Sequence, residues 1–272
     1  MSEEEFFSIV PLSNFESDVR IIQLNENLCL RILDESETKS LMRRIPELEN
    51  DYRLKNLLAE AHFIIEKKWL DDEARHLDEN APYITDIILA LRLLKPYYVT
   101  APTVFSMNSK HTSFYISNPA PVDTLLDTPY FLKREEIDSF IKLWNELQRV
   151  KKEKQRLSFP LEQFIDAFEE IKPRYFIVNF MTAFESLVFQ NANSPRNKGD
   201  AIGKHIGTLL GRDERERNKI KQDLQCAYQL RNYVVHGHLR EKLTDYDNQE
   251  TTELIFRVED YLRRSLKKIL EK

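Results

Sequence analysis

Residues 175–189 read Tyr175-Phe176-Ile177-Val178-Asn179-Phe180-Met181-Thr182-Ala183-Phe184-Glu185-Ser186-Leu187-Val188-Phe189. Apolar side chains fall on nearly every side of a 3.6-residue helix here, and neither glycine nor proline interrupts the run. A helix that is apolar almost all round has to be surrounded by other elements, so this stretch predicts the central, buried helix of a bundle. The pattern stays helical on both sides of it. Upstream, Ile137, Phe140, Ile141, Trp144, Leu147 and Val150 share one face of a helix over 133–156, and Pro160 opens another through Leu161, Phe164, Ile165 and Phe168. Downstream, Asn191-Ala192-Asn193-Ser194-Pro195 breaks the chain, and a short helix over 201–210 is closed by Gly211. Asp213 then caps a longer helix through Ile220, Leu224, Ala227, Tyr228 and Leu230, and a last helix covers 252–270.

The first half of the chain reads differently. Segments 19–24 and 28–33 flank Asn25-Glu26-Asn27 as a short hairpin, and Asp34-x-x-Glu37 resembles a capping box opening a helix toward Arg44. Residues 61–66 form a further strand. Ile84, Ile87, Ile88, Leu91 and Leu94 recur at helical spacing, between Pro82 at the start and Pro96 beyond the end. The proline-bearing stretch 97–129 reads as strands and irregular connections, with a boundary near Asp127-Thr128-Pro129. The expected fold class is therefore α+β: a mixed α/β domain over 1–129, followed by an all-α helical bundle over 130–272.

Composition narrows the function classes. The chain has 272 residues, 42% of them hydrophobic and 31% charged, ordinary for a globular protein with a real core. Only 5 are glycine, and neither GxGxxG nor GxxxxGK[ST] occurs, which argues against Rossmann and P-loop nucleotide sites. The acidic opening Met1-Ser2-Glu3-Glu4-Glu5 lacks the layout of a secretion signal, and no apolar run approaches the roughly 20 residues that span a bilayer. Cys29 and Cys226 read as buried thiols in a reducing compartment, so a cytoplasmic location away from membranes is expected. Charge is uneven. Residues 1–130 carry 13 basic against 22 acidic side chains, a balance of −9, and residues 131–272 carry 27 against 23, a balance of +4. A polyanion is repelled by the first half and tolerated by the second.

The long helix runs into Arg231-Asn232-Tyr233-Val234-Val235-His236-Gly237. A permanent cation and a titratable imidazole stand five positions apart, directly before a glycine. RNA carries its own nucleophile, the 2′-hydroxyl, so cutting it requires little more than a proton carrier and a cation for charge developing on the phosphate oxygens. Histidine suits the first task and the planar guanidinium fork of arginine the second. Gly237, just past the helix, suits the left-handed position that terminates many helices, which puts His236 in the last turn, where the dipole favours imidazolium. Arg231 and His236 point about 140° apart on an ideal helix, whereas Asn232 and His236 share a face. A cleft formed with a second copy of the helix brings the two groups together more readily than one copy alone.

The R-N-x-x-x-H order with its trailing Val235-His236-Gly237 resembles the catalytic motif of HEPN domains, in particular the Apea-like branch. Ala183-Phe184-Glu185-Ser186-Leu187 is similar to the A-x-E-S-L signature of that family's core helix. Leu209-Leu210-Gly211, a charged helix and Tyr228-Gln229-Leu230-Arg231-Asn232 follow in the family's order. The resemblance covers roughly 130–272; residues 1–130 resemble only a variable upstream region. It implies a HEPN-like bundle, a metal-independent endoribonuclease without cofactor, and a homodimer with a composite site on RNA. Such proteins often act as toxins or antiviral effectors held in check by an antitoxin, for example a nucleotidyltransferase-like one, or by another regulatory partner. Arg231 and His236 match the catalytic pair, and Asn232 fills the polar position that orients His236 or contacts phosphate. Glu185 matches a recurrent acidic residue. Tyr233 and His238 are further candidate RNA contacts, Tyr233 alternatively a packing aromatic. The acidic first half is the candidate regulatory or sensing part. A rival reading is a noncatalytic HEPN module that binds nucleotides or proteins as a scaffold.

Other candidates are weaker. His76 lacks the second histidine of HExxH, and no Cys/His cluster has zinc spacing. His205 beside Lys204 reads as solvent-facing. The basic run 149–156 reads either as a track for an RNA backbone or as a solvated helix end. Phe63 and Trp69 read as core.

Overall fold

The computed structural model describes residues 6–44, 52–69, 82–96, 98–107, 112–116, 129–153, 155–170, 173–189, 195–236 and 249–271. The fold is α+β, and the chain divides into two compact units, Met1–Trp144 and Asn145–Lys272.

In the first unit the strands are β1 (Phe6–Leu12), β2 (Phe15–Ser17), β3 (Ile21–Asn25), β4 (Leu28–Ile32), β5 (Phe63–Trp69), β6 (Thr103–Met107), β7 (Thr112–Ile116) and β8 (Tyr130–Leu132). Six form an antiparallel sheet in the order β3-β4-β5-β1-β6-β7. The β3–β4 hairpin occupies the expected place. Edge strand β3 alternates, with Ile22 and Leu24 buried and Ile21 exposed, as one covered and one open face require. Strand β1 was not anticipated. In it Ser8, Ile9, Val10 and Leu12 are all buried, so both faces are covered and the period-two signal is lost. Helices α1 (Glu35–Arg44) and α2 (Tyr52–Glu60) send Leu41 and Leu58 onto Ile9, Ile64 and Phe105 of the sheet; α2, too, was absent from the sequence reading.

Asp34 caps α1 through its Oδ1, which accepts from the Glu37 N–H at 2.9 Å. The Glu37 carboxylate accepts instead from Arg31, which also binds Glu66, so one half of the capping box is exchanged for an ion-pair node. Helix α3 (Pro82–Leu94) is buried on most sides. The short β8 pairs in parallel with β2, Phe15 stacks on Tyr130, and the Tyr130 hydroxyl donates to the Leu91 carbonyl at 2.8 Å. These bonds tie residues 130–132 into the first unit, which therefore runs past the boundary read at 129.

Helix α4 (Ile137–Glu153) follows a single 3-10 turn and buries Phe140, Leu143, Trp144, Leu147 and Val150 along one stripe. The described part of the second unit is helical throughout: α5 (Ser158–Ala167), α6 (Pro173–Val188), α7 (Lys198–Leu210), α8 (Glu214–His236) and α9 (Gln249–Leu270). Helix α6 is central as expected, packing against α5, α7, α8 and α9. Its buried stripe is Ile177, Phe180, Met181 and Phe184, while the opposite side is only half-buried. Phe164, Phe168, Phe176 and Phe180 form an aromatic cluster between α5 and α6, with centroids 5.3–6.4 Å apart.

Helices α7 and α8 approach unusually closely because Gly199, Gly203 and Gly207, four apart, line one face of α7, with Gly211 just beyond its end. A Cβ built on Gly203 would lie 2.9 Å from the Lys221 carbonyl oxygen, and one on Gly207 would lie 2.9 Å from that of Arg217. Asp213 caps α8 by accepting from the Glu216 N–H at 2.8 Å. Helix α9 is fastened to α8 by buried Asp223, which accepts from the Tyr261 hydroxyl at 2.9 Å and from Arg257 Nε at 3.1 Å. Among the described residues no helix is long and apolar enough to cross a membrane. One expectation about side-chain placement is corrected: Cys29 is buried but Cys226 is exposed, about 100° around α8 from Ala227 and outside the buried seam.

Candidate functional site

The motif residues 231–236 lie entirely within α8, whose helical periodicity therefore governs them. Arg231 leaves the helix beside Leu230, one of the buried residues of the seam, and its side chain is about one-fifth exposed. Its guanidinium reaches α6: Nη2 stands 3.5 Å from Glu185 Oε1, while Nη1 donates to Asn232 Oδ1 at 3.2 Å. The Tyr228 ring lies one turn back, 5.7 Å from the guanidinium carbon. Arg231 Nε and Glu185 Oε1 are both buried, and neither has a hydrogen-bond partner among the described residues.

Glu185 has a second cation. Lys198, the first residue of α7, donates to Glu185 Oε2 at 2.7 Å. Sequence reasoning singled out Glu185, Arg231 and Asn232 but passed over Lys198 as a charge. Thirteen residues separate it from Glu185, a distance no helical or strand periodicity flags. Asn197 fixes where α7 begins, accepting from the Asp200 N–H at 3.1 Å, and so sets the position of Lys198. The bond to Glu185 holds the Lys198 ammonium above its ordinary value, with burial opposing. The Tyr228 phenol is pushed up by burial and by the nearby Glu185 carboxylate, and stays neutral at physiological pH.

His236 is the last described residue of α8 and is exposed. It stands five residues from Arg231, about 7.5 Å along the axis and about 140° around it. Thus Arg231, Asn232 and Glu185 are gathered around one partly buried position, and His236 stands further along the helix. Tyr233 is just over one-third exposed. Gly237 and His238 lie outside the described residues, as does His76, so the helix-terminating role expected of Gly237 falls there too.

The remaining sequence candidates resolve simply. His205 is exposed, on a shallow groove with Lys204, Thr208 and Lys268. Arg149 in the basic run is bound to Glu146 at 2.7 Å and Glu153 at 3.4 Å along its own helix. Phe63 is core, while Trp69 is half-buried and donates its indole N–H to Ser8 at 2.8 Å. No protein-family model, no curated protein and no solved structure matches this chain.

Proposed function

We propose that the helical unit is an endoribonuclease of the HEPN type, cutting RNA by attack of the 2′-hydroxyl on the adjacent phosphorus. The single observation that carries this reading is the placement of Arg231: a partly exposed guanidinium with incompletely engaged donors, on the same continuous helix as an exposed histidine. In the proposed reaction Arg231 steadies the charge on the non-bridging oxygens, His236 as imidazolium delivers a proton to the departing 5′-oxygen, and the 2′-hydroxyl proton passes to water, from which His236 is reprotonated. The products are a 2′,3′-cyclic phosphate and a 5′-hydroxyl. Because the nucleophile belongs to the substrate, the chemistry requires no metal-activated water. The 140° divergence favours a homodimer in which two copies of α8 share one cleft. A toxin or antiviral role, restrained by an antitoxin or regulatory partner, fits this activity.

The ion pair between Arg231 and Glu185 favours a second reading, in which Arg231 fastens α8 to α6 and the unit is a noncatalytic scaffold binding nucleotides or proteins. Cleavage of a single-stranded RNA by wild type, Arg231→Ala and His236→Ala separates the two. The enzymatic reading expects each variant to lose 100-fold or more (on the order of 10²–10⁴ for a lost acid–base or oxyanion group), with wild-type cleavage surviving excess chelator. Equal behaviour of all three proteins sinks it.

A further inference from the structure

The Glu185–Arg231 pair is held open. A closed arginine–carboxylate fork has two parallel bonds of roughly 2.7–2.9 Å, whereas here Nη2 stands 3.5 Å from Oε1. Both Arg231 Nε and Glu185 Oε1 are buried without a hydrogen bond to any described residue. Leaving two such atoms unsatisfied is costly, and closing the fork would satisfy both. Two contacts hold the carboxylate and the guanidinium in their present positions. Lys198 Nζ holds Glu185 Oε2 at 2.7 Å, and Asn232 Oδ1 holds Arg231 Nη1 at 3.2 Å. The Lys198 bond is the shorter and charge-assisted, and it comes from a different helix, so it fixes the direction in which the carboxylate faces. The group then carries two cations and one carboxylate, all 18–30% exposed, a local excess of one positive charge.

From this geometry we infer that Lys198 is a positioning residue: by engaging Glu185 it keeps Arg231 from being captured by that carboxylate and leaves the guanidinium able to receive an anionic phosphate oxygen. The inference rests on the reading of Arg231 as the phosphate-binding cation. Lys198 need not touch the phosphate. Without it, Glu185 turns to Arg231, the fork closes, and an incoming anion must displace a carboxylate. If Glu185 is made neutral, Arg231 no longer has a competitor and the loss of Lys198 ceases to matter. A lysine that merely stabilised the fold would not show this dependence on Glu185.

The full chain is titrated with inorganic phosphate while the Arg231 guanidinium N–H signals are followed by NMR, assigned by their loss in Arg231→Lys. Wild type responds to phosphate. Lys198→Met, which keeps the aliphatic stem, binds about tenfold more weakly, the size expected when one partly buried charge contact replaces another. Lys198→Arg stays within about threefold of wild type, and Lys198→Met/Glu185→Gln returns to the affinity of Glu185→Gln alone. Urea midpoints confirm that each protein is folded, and Lys198→Gln substitutes if the methionine variant is not. A Lys198→Met protein that binds like wild type, or a double variant that stays about tenfold weaker than Glu185→Gln, overturns the role of Lys198 while leaving Arg231 as the anion site. Absence of any phosphate response at Arg231 in wild type overturns both.

Discussion

Replacing Gly203 by alanine sets two physical effects against each other, and the structure decides the sign. On helix propensity alone the change stabilises, because alanine in a helix interior is favoured over glycine by about 0.8–1 kcal/mol. Gly203, however, faces α8. The new Cβ would lie 2.9 Å from the Lys221 carbonyl oxygen, 3.0 Å from its Cα and 3.1 Å from its Cγ. Comfortable carbon contacts lie near 3.5–4.0 Å, and two of these three neighbours are backbone atoms that cannot rotate away. The two helices must therefore separate by a few tenths of an ångström, and the Gly199 and Gly207 contacts loosen with them. Overpacking of this kind costs about 1–3 kcal/mol, which leaves a net destabilisation of about 1 kcal/mol after the propensity gain. The assay is urea unfolding at fixed pH, read as a lowered midpoint with an unchanged slope. Gly207→Ala shows the same sign, since its Cβ would meet the Arg217 carbonyl oxygen at 2.9 Å. The pair combined falls short of the sum of the singles, because helices already separated for one methyl need separate less for the next. A Gly203→Ala protein as stable as wild type, or more so, would falsify the claim that these glycines are kept for close approach.

Two further predictions concern buried carboxylates, Glu259 on α9 and Asp223 on α8. Glu259 is buried, and burial pushes its carboxyl up to about 7 despite Arg263 beside it. The folded state then binds the extra proton between the unfolded value of about 4.3 and about 7, so stability falls as pH rises through that window, by about 4 kcal/mol at most. Glu259→Gln removes this slope, and urea midpoints at pH 5 and pH 8 should show the variant gaining on wild type at the higher pH; a constant difference between the two proteins refutes the assignment. Asp223→Ala strips the acceptor from the buried Tyr261 hydroxyl and from Arg257. The expected loss is about 2–3 kcal/mol, mostly from Tyr261, because the more exposed Arg257 and Lys219 can turn to water. A thermal-unfolding change equivalent to under 0.5 kcal/mol would show that Asp223 does not fasten α8 to α9.

Sequence legibility followed local periodicity. The stripes on α4 and α5, the caps at Asp34 and Asp213, the β3–β4 hairpin and the central place of α6 all rest on patterns a few residues long, and all appear where the pattern puts them. The predicted start of α7 fell at Ala201, three residues late, because Asn197 and not the glycine-rich first turn sets it. Strand β1 carried no alternation, since the sheet is covered on both faces there, and it contains Pro11, a residue seldom found inside a central strand. The glycine spacing of four was visible at 199, 203, 207 and 211, but its meaning depends on a second helix lying against that face.

The same division runs through the candidate site. By itself the sequence determined that Arg231, Asn232 and His236 ride one helix, and that helical spacing turns Arg231 away from His236, because the 3.6-residue repeat is a property of the backbone. Only the tertiary structure decided what Arg231 meets. Glu185 from α6 and Lys198 from α7 converge on it through the packing of three helices, and the charge balance there is set by distances of 2.7 and 3.5 Å. The first distance joins α7 to α6 and the second joins α8 to α6, while α7 itself is seated on α8 through glycines whose absent side chains carry no charge and no chemistry of their own.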